Sequence, residues 1–336
     1  MNVPTTSGSK SNGRIQWPES PSLKQYFSLP DSIMYYMAMN PSTPEVYNKL
    51  IQSCKYFFER NPILVVNRMN KVKKGTSICA NGQCVSSGGK PCCVKIDINK
   101  IKSKFWLTRE LNLSDAATPN FISLLLPKLF RCEIDKLQIW QMNILFGDFK
   151  YLALFAKSVE LVYAKIVNSD GKVVMLEKIL ESVSNIEEFY YIFRNDVSMV
   201  THATIKNILK LQNLGKIKIM SLQDIPQVFN VEDLSRFITE FKDTTIWLGF
   251  VDIAEEYMIQ LDALIDTVIQ SDVPNRSIRY VGQDKEKLAI LEERCHDDHY
   301  AYEVTDDSDA SYDDVSDEDM DDNDDEDMDD NDDEDV

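Results

Sequence analysis

The side chains best suited to chemistry in this 336-residue chain are its thiols and imidazoles. Cys79, Cys84, Cys92 and Cys93 lie close together and could supply four thiolates to a zinc ion. Their spacing is not a pair of C-x2-C knuckles, and adjacent cysteines rarely ligate one ion cleanly. The expected state is a reduced loop without metal. Cys295, His296 and His299 form a second donor set, but they abut a highly charged terminus and are read as solvated. The third histidine, His202, stands at the start of a helix-like stretch. The chain has no G-x-S-x-G, no H-E-x-x-H and no phosphate-cradling glycine loop. A cysteine nucleophile would need a base that the sequence does not offer. The expectation is a non-enzymatic protein without cofactors.

Charge narrows the partners. The net charge of −19 is misleading until it is located. Residues 306–336 hold 20 acidic side chains and no basic one, which leaves 35 acidic and 36 basic residues in 1–305. The acidity therefore belongs to a tail. Two near-identical octets, Ser316–Asn323 and Asp324–Asn331, build much of it. Mutual repulsion should keep that tail extended. It would solvate the chain, or hold a basic protein partner such as a histone. Between Arg68 and Arg109 there are ten basic residues against one acidic residue, Asp97. With the tail competing for such a surface, nucleic acid is an unlikely partner, and a solvated insert is expected. No apolar run is long enough for a membrane span, and the polar N-terminus lacks a secretory apolar core. The seven scattered cysteines fit reduced thiols. The expected location is cytoplasm, nucleus or both.

The elements that must position any functional residue begin at Leu29. Residues 29–58 read as two helices around the turn Asn40-Pro41-Ser42. Ser28 is the expected cap of the first, with Pro30 and Asp31 in its opening turn. Ser42 is the expected cap of the second, completed by Glu45 as a capping box. Val46, Tyr47, Leu50, Ile51, Cys54, Phe57 and Phe58 follow helical spacing up to Asn61-Pro62. The two helices carry more apolar surface than they can hide from each other, which implies docking. Ile63–Val66 reads as a short buried strand. No core element is expected from Lys71 to Pro91.

From Leu137 a pattern repeats. Strand-like segments occur at Leu137–Ile144, Val159–Val167, Ile186–Phe193, Lys216–Ser221, Thr244–Val251 and Ser277–Val281. Helix-like segments alternate with them, at Asp148–Ala156, Val174–Val183, Ala203–Gln212, Val231–Phe241, Tyr257–Ile269 and Lys285–Arg294. One strand-plus-helix unit takes about 22–32 residues, within the range of repeat architectures. The predicted class is α/β: an N-terminal helical motif followed by an irregular leucine-rich-repeat-like strand/helix solenoid, then a disordered acidic C-terminal tail. A doubly wound α/β sheet is the competing arrangement. The expected division is 1–22 disordered, 23–66 helical motif, 67–109 basic Cys-containing insert, 110–295 repeat-like domain and 296–336 disordered tail.

Leu29-Pro30-Asp31, Leu50 and Cys54-Lys55-Tyr56-Phe57-Phe58 resemble an F-box. Residues 22–295 as a whole are similar to a divergent nematode F-box-like family, in which this motif precedes a Cys-containing insert and a repeat region. The segments that carry the likeness are SLPDSIMYYMAMNPSTPEVYNKLIQSCKYFF, IDINKIKSKFWLT and VVMLEKILESVSNIEEF. The resemblance implies a substrate receptor of an SCF-type ubiquitin ligase. Leu29, Pro30, Ile33 and Met34 would face a Skp-type adaptor from the first helix. Leu50, Cys54 and Phe57 would belong to the second helix and its packing. The repeat region would present an unknown protein target, and the chemistry would reside in other subunits.

Overall fold

Apolar side chains at every second position dictate the central sheet. The computed structural model describes residues 26–72, 75–80, 93–114, 120–193, 196–271 and 273–295. All of them belong to one compact unit, Met1–Asp297. The N-terminal stretch 1–22, Cys84, Cys92, His296, His299 and the acidic tail lie outside the described residues.

Three helices come first: α1 (Asp31–Met39), α2 (Pro44–Ser53) and α3 (Lys55–Arg60). A hairpin-like group follows, with β1 (Ile63–Val72), β2 (Gly75–Cys79) and β3 (Val94–Ile96) paired antiparallel in that order. Next come β4 (Lys104–Ser114), α4 (Phe121–Leu125), β5 (Leu129–Cys132), β6 (Lys136–Trp140), β7 (Asn143–Leu145) and α5 (Phe146–Leu152). The chain continues through β8 (Ser158–Val162), β9 (Lys165–Val167), α6 (Leu176–Glu181), β10 (Glu188–Ile192) and α7 (Thr204–Ile208). It ends with β11 (Ile219–Ile225), α8 (Val231–Glu240), β12 (Thr245–Phe250), α9 (Glu255–Ser271), β13 (Arg276–Tyr280) and α10 (Lys285–Glu293).

Eight of these strands form one parallel series in the order β1, β4, β6, β8, β10, β11, β12, β13. Each new strand is added on the same side of the last. A doubly wound sheet would reverse direction at a switch point; this series does not. From β6 onward the strands begin at Lys136, Ser158, Glu188, Ile219, Thr245 and Arg276, 22 to 31 residues apart.

Period-two alternation sends neighbouring rows to opposite faces. One face carries Leu111, Leu137, Val159, Phe189, Met220 and Ile246, then Leu113, Ile139, Leu161, Tyr191, Leu222, Leu248 and Ile278 two positions on. These rows join the inward faces of α4 to α10 in a single core. Full burial of a Leu or Phe contributes about 2 kcal/mol, so the stack of rows dominates stability. The opposite face carries Asn112, Gln138, Glu160, Tyr190, Ser221, Trp247 and Ser277, and none of these belongs to that core.

One residue closes the core rows. Arg276 occupies a core row that is otherwise apolar and is 1 % exposed. Its guanidinium donates to the carbonyls of Ile238, Phe241 and Lys242, where α8 ends, and to that of Thr244. It thus serves carbonyls that the end of a helix leaves without partners. Gly249 leaves room for Gln223, whose Oε1 would lie 2.2 Å from a Cβ there.

Several expectations are corrected. Leu137–Ile144 and Val159–Val167 are each two strands, broken at Gln141 and Tyr163, both in the left-handed region (φ 53° and 50°). Asp224 and Asp252 repeat this conformation near the ends of β11 and β12 (φ 54° and 49°). The stretch Lys71–Pro91 does contain an element, β2, held on β1 through Gly75 at φ 135°. β1 runs through position 66 and β4 through position 109, where the sequence reading divides the chain. The strand predicted at Lys216–Ser221 starts later, at Ile219, after a 3-10 turn at Asn213–Lys216.

Candidate docking surface

Pro30 occupies the cap position of α1, with no side-chain capping bond, so Ser28 does not cap it. α2 is capped by Thr43, whose hydroxyl accepts from the Val46 backbone N–H (3.3 Å). The cap lies one residue beyond Ser42, so Glu45 falls short of the third helical position and no capping box closes. Pro44 suits the first helical position because its missing N–H would be unpaired there anyway. The single helix expected through Phe58 breaks at Cys54, which adopts φ −158° and ψ 129°. The Cys54 sulfur then accepts from the Tyr56 N–H and opens α3.

The three helices make a small core of their own. Met34, Ala38, Cys54 and Phe57 are buried in it, with Phe27, Met37, Leu50, Ile51 and Tyr56 partly buried around them. The Phe27 ring meets Tyr56 edge-on at 5.3 Å. This core takes one side of α1. Away from this core α1 leaves Ile33 (46 % exposed), Tyr35 (52 %) and Tyr36 (65 %) partly in solvent, and Leu29 (47 %) is likewise exposed just ahead of the helix. Within α1, Ile33 and Tyr36 are three residues apart and share one helix face, while Leu29 lies ahead of the cap residue Pro30.

Among the sequence-predicted adaptor residues, Leu29, Pro30 and Ile33 are exposed and Leu50 is half-buried. Met34, Cys54 and Phe57 are buried and hold the helices together. Tyr35, Tyr36 and Val46 are exposed beside the predicted set and were not in it. Helical spacing could have found Tyr36, since it lies three residues beyond Ile33 on α1.

The helices are fastened to the sheet. The Tyr47 hydroxyl donates to the Asn61 carbonyl (2.7 Å) and accepts from the Ile63 N–H (3.0 Å). Asn61 in turn donates its side-chain amide to the Ala38 carbonyl (3.0 Å). Burial pushes the Tyr47 hydroxyl pKa above its ordinary value, which keeps it neutral. Tyr47, Ile63 and Trp106 form a buried joint. Arg131 stacks 4.7 Å from the Trp106 ring and reaches the Ser42 carbonyl (3.4 Å). The exposed face of α1 is therefore carried on a braced support.

The face of the sheet away from the helices is a second surface. Toward its start it is polar and internally strapped. Arg68 Nε meets Glu110 Oε2 at 2.8 Å, and Gln138 donates to Glu160 Oε2 at 2.7 Å. Lys136 lies 3.5 Å from the same Glu160 oxygen. From the end of β8 onward the face carries Val162, Tyr190, Ile192, Ile219 and Trp247, of which Val162, Tyr190 and Trp247 are buried.

Chemically reactive arrangements are scarce. Burial pushes the Cys132 thiol up to about 12, which leaves it protonated and inert. Cys79 is buried in β2 and Cys93 is half-buried, while Cys84 and Cys92 lie outside the described residues. Among the described residues no three His, Cys, Asp or Glu side chains are grouped to hold a metal ion. No helix among them is long and apolar enough to cross a membrane. Compared with known proteins, the chain matches no family model and no curated protein.

Proposed function

We propose that this protein is a non-enzymatic recognition subunit: an F-box-like motif at residues 29–58 docks on a Skp-type adaptor of an SCF-type ubiquitin ligase, and the body presents a target. The observation that carries this reading is the exposed apolar face of α1, braced against the sheet by Tyr47, Asn61 and Trp106. Such a face costs solubility unless a partner covers it. We further read the body as a right-handed solenoid of leucine-rich-repeat type. Support comes from the sequential parallel strands, the helices sharing a core with one face, and the left-handed residues near successive strand ends. The repeat region then presents the target.

Co-expression with a Skp-type adaptor tests the docking. The wild-type chain should capture the adaptor, and Pro30→Ala combined with Ile33→Asp should release it while the fold persists. A wild-type chain that captures no such adaptor refutes the reading.

A second reading rests on the 20 acidic residues of 306–336. They suit a scaffold for basic proteins such as histones. A histone pull-down at moderate salt, with and without residues 306–336, separates the two readings.

A further inference from the structure

Where β6 and β8 end, the chain turns twice in the same way. Gln141 and Tyr163 take the left-handed backbone (φ 53° and 50°), and the chain then pairs again as the short parallel strands β7 and β9. The backbone stays laddered through the turn. Gln141 N–H donates to the Val162 carbonyl (2.8 Å), Tyr163 N–H to Ile192 (3.0 Å) and Lys165 N–H to Met142 (3.0 Å). At this bend lies a crevice of about 290 Å³, lined chiefly by Gln141, Asn143, Tyr163, Lys165, Tyr191 and Asp196.

The charged and phenolic groups of the crevice are engaged with the protein itself. Lys165 pairs with Asp196, whose other carboxylate oxygen accepts from the Ser198 N–H (2.9 Å). The Tyr163 hydroxyl meets the Asp224 carboxyl (3.4 Å), and buried Tyr191 donates to the Ala164 carbonyl (2.8 Å). The two carboxamides differ. Gln141 and Asn143 are exposed, and among the described residues neither side-chain amide makes a hydrogen bond.

A carboxamide holds an acceptor oxygen and an NH2 donor. That set matches a peptide unit, which offers one N–H and one C=O. Two such groups two residues apart suit an extended segment, whose residues face the same way at every second position. The Lys165–Asp196 pair is neutral in sum, so the crevice favours neither an anion nor a cation. Its volume stands at the lower end for ligand sites. A helix with its side chains is about 10–12 Å across and too wide for it.

We propose that this crevice binds the main chain of an extended peptide segment, with Gln141 and Asn143 as its hydrogen-bonding partners. The inference rests on the reading of the protein as a recognition subunit. It gives the target a chemical class: an extended polypeptide segment held by its backbone rather than by its charge.

The probe is N-acetyl-triglycine amide, which is all backbone, titrated into the full-length chain to roughly 10 mM, a range that reaches weak affinities. The readout is the carbon-13 methyl signal of Met142, a residue at the crevice wall. It should shift saturably, while core methionines such as Met69 and Met220 stay fixed. N-acetyl-trisarcosine dimethylamide, in which every N–H is methylated, should leave Met142 unmoved. Gln141→Gly removes one amide and tolerates the left-handed turn. Asn143→Asp keeps the shape of the side chain and removes the donor. Each should weaken binding at least roughly threefold, and the two together roughly tenfold. A Met142 signal that does not move in wild type overturns the proposal. So does an equal response to the sarcosine probe, or an undiminished response of the double variant with native circular dichroism. Adaptor capture through residues 29–58 is measured separately, so the two readings fail separately.

Discussion

The helical motif and the parallel sheet treat their apolar residues in opposite ways. In the sheet, whole rows such as Leu137, Val159, Phe189 and Met220 disappear into one core shared with seven helices. In the motif, four buried residues hold three helices, while Leu29, Ile33, Tyr35 and Tyr36 remain in water. The sheet's apolar residues buy stability. Those left outside the motif's core bury only part of their surface and contribute less to the fold. A residue that contributes little to folding and much to apolar surface is available for a partner, and the proposed division between scaffold and hook rests on that contrast.

The contrast can be broken by substitution, starting where the effect is largest. Phe189→Ala removes a fully buried ring from the centre of the sheet and should cost about 4 kcal/mol, read from urea unfolding. Arg276→Met leaves the carbonyls at the end of α8 without donors, and a loss of about 3 kcal/mol is expected in the same measurement. A loss as small as that of a surface substitution would show that the row-closing role assigned to Arg276 is wrong. Tyr47→Phe strands the Ile63 N–H and the Asn61 carbonyl and should cost about 1–2 kcal/mol. It should also loosen the joint, visible as faster amide exchange at Ile63. Ile33→Asp should change stability by less than about 0.5 kcal/mol, because the side chain is about half in water and lies outside the motif's core. Adaptor capture should nevertheless be lost, and it is this dissociation of stability from binding that sharpens the comparison.

The smallest expected effect is a pH dependence. Burial raises the Asp224 carboxyl above its ordinary value, with the Tyr163 hydroxyl bond partly opposing the shift. A group raised on folding contributes stability below its unfolded pKa, and that contribution fades as pH climbs through the folded value. Asp224→Asn should therefore stabilise the protein at neutral pH relative to wild type, with the difference vanishing in acid. Asn tolerates the left-handed backbone at this position, so strain does not confuse the comparison. Urea midpoints at pH 4 and pH 7 decide the sign.

Legibility in the sequence followed the same division. The alternating strands and helices from Leu137 to Arg294 were readable because each strand is an apolar run and each helix has one apolar face. Their breaks were not, since Gln141 and Tyr163 adopt a left-handed backbone that neither residue type advertises. The first parallel strands were hidden for another reason. β1 continues through Asn67-Arg68-Met69-Asn70-Lys71, where Met69 is the one apolar residue and the rest read as loop, although Lys71 is buried over the Phe121 ring. A register shift between Val66 and Arg68 further disturbs its pairing with β4. In the motif, exposed Leu29, Pro30 and Ile33 stood in the predicted set beside buried Met34, Cys54 and Phe57. Composition alone could not sort them, because the same apolar types serve both packing and docking.

The most direct measurement is hydrogen–deuterium exchange of the full chain with and without a purified Skp-type adaptor. The expected result is new protection confined to residues 29–58, strongest along α1, with the sheet from β4 to β13 unchanged. Protection on the sheet alone, or none anywhere at saturating adaptor, would contradict the division between hook and scaffold.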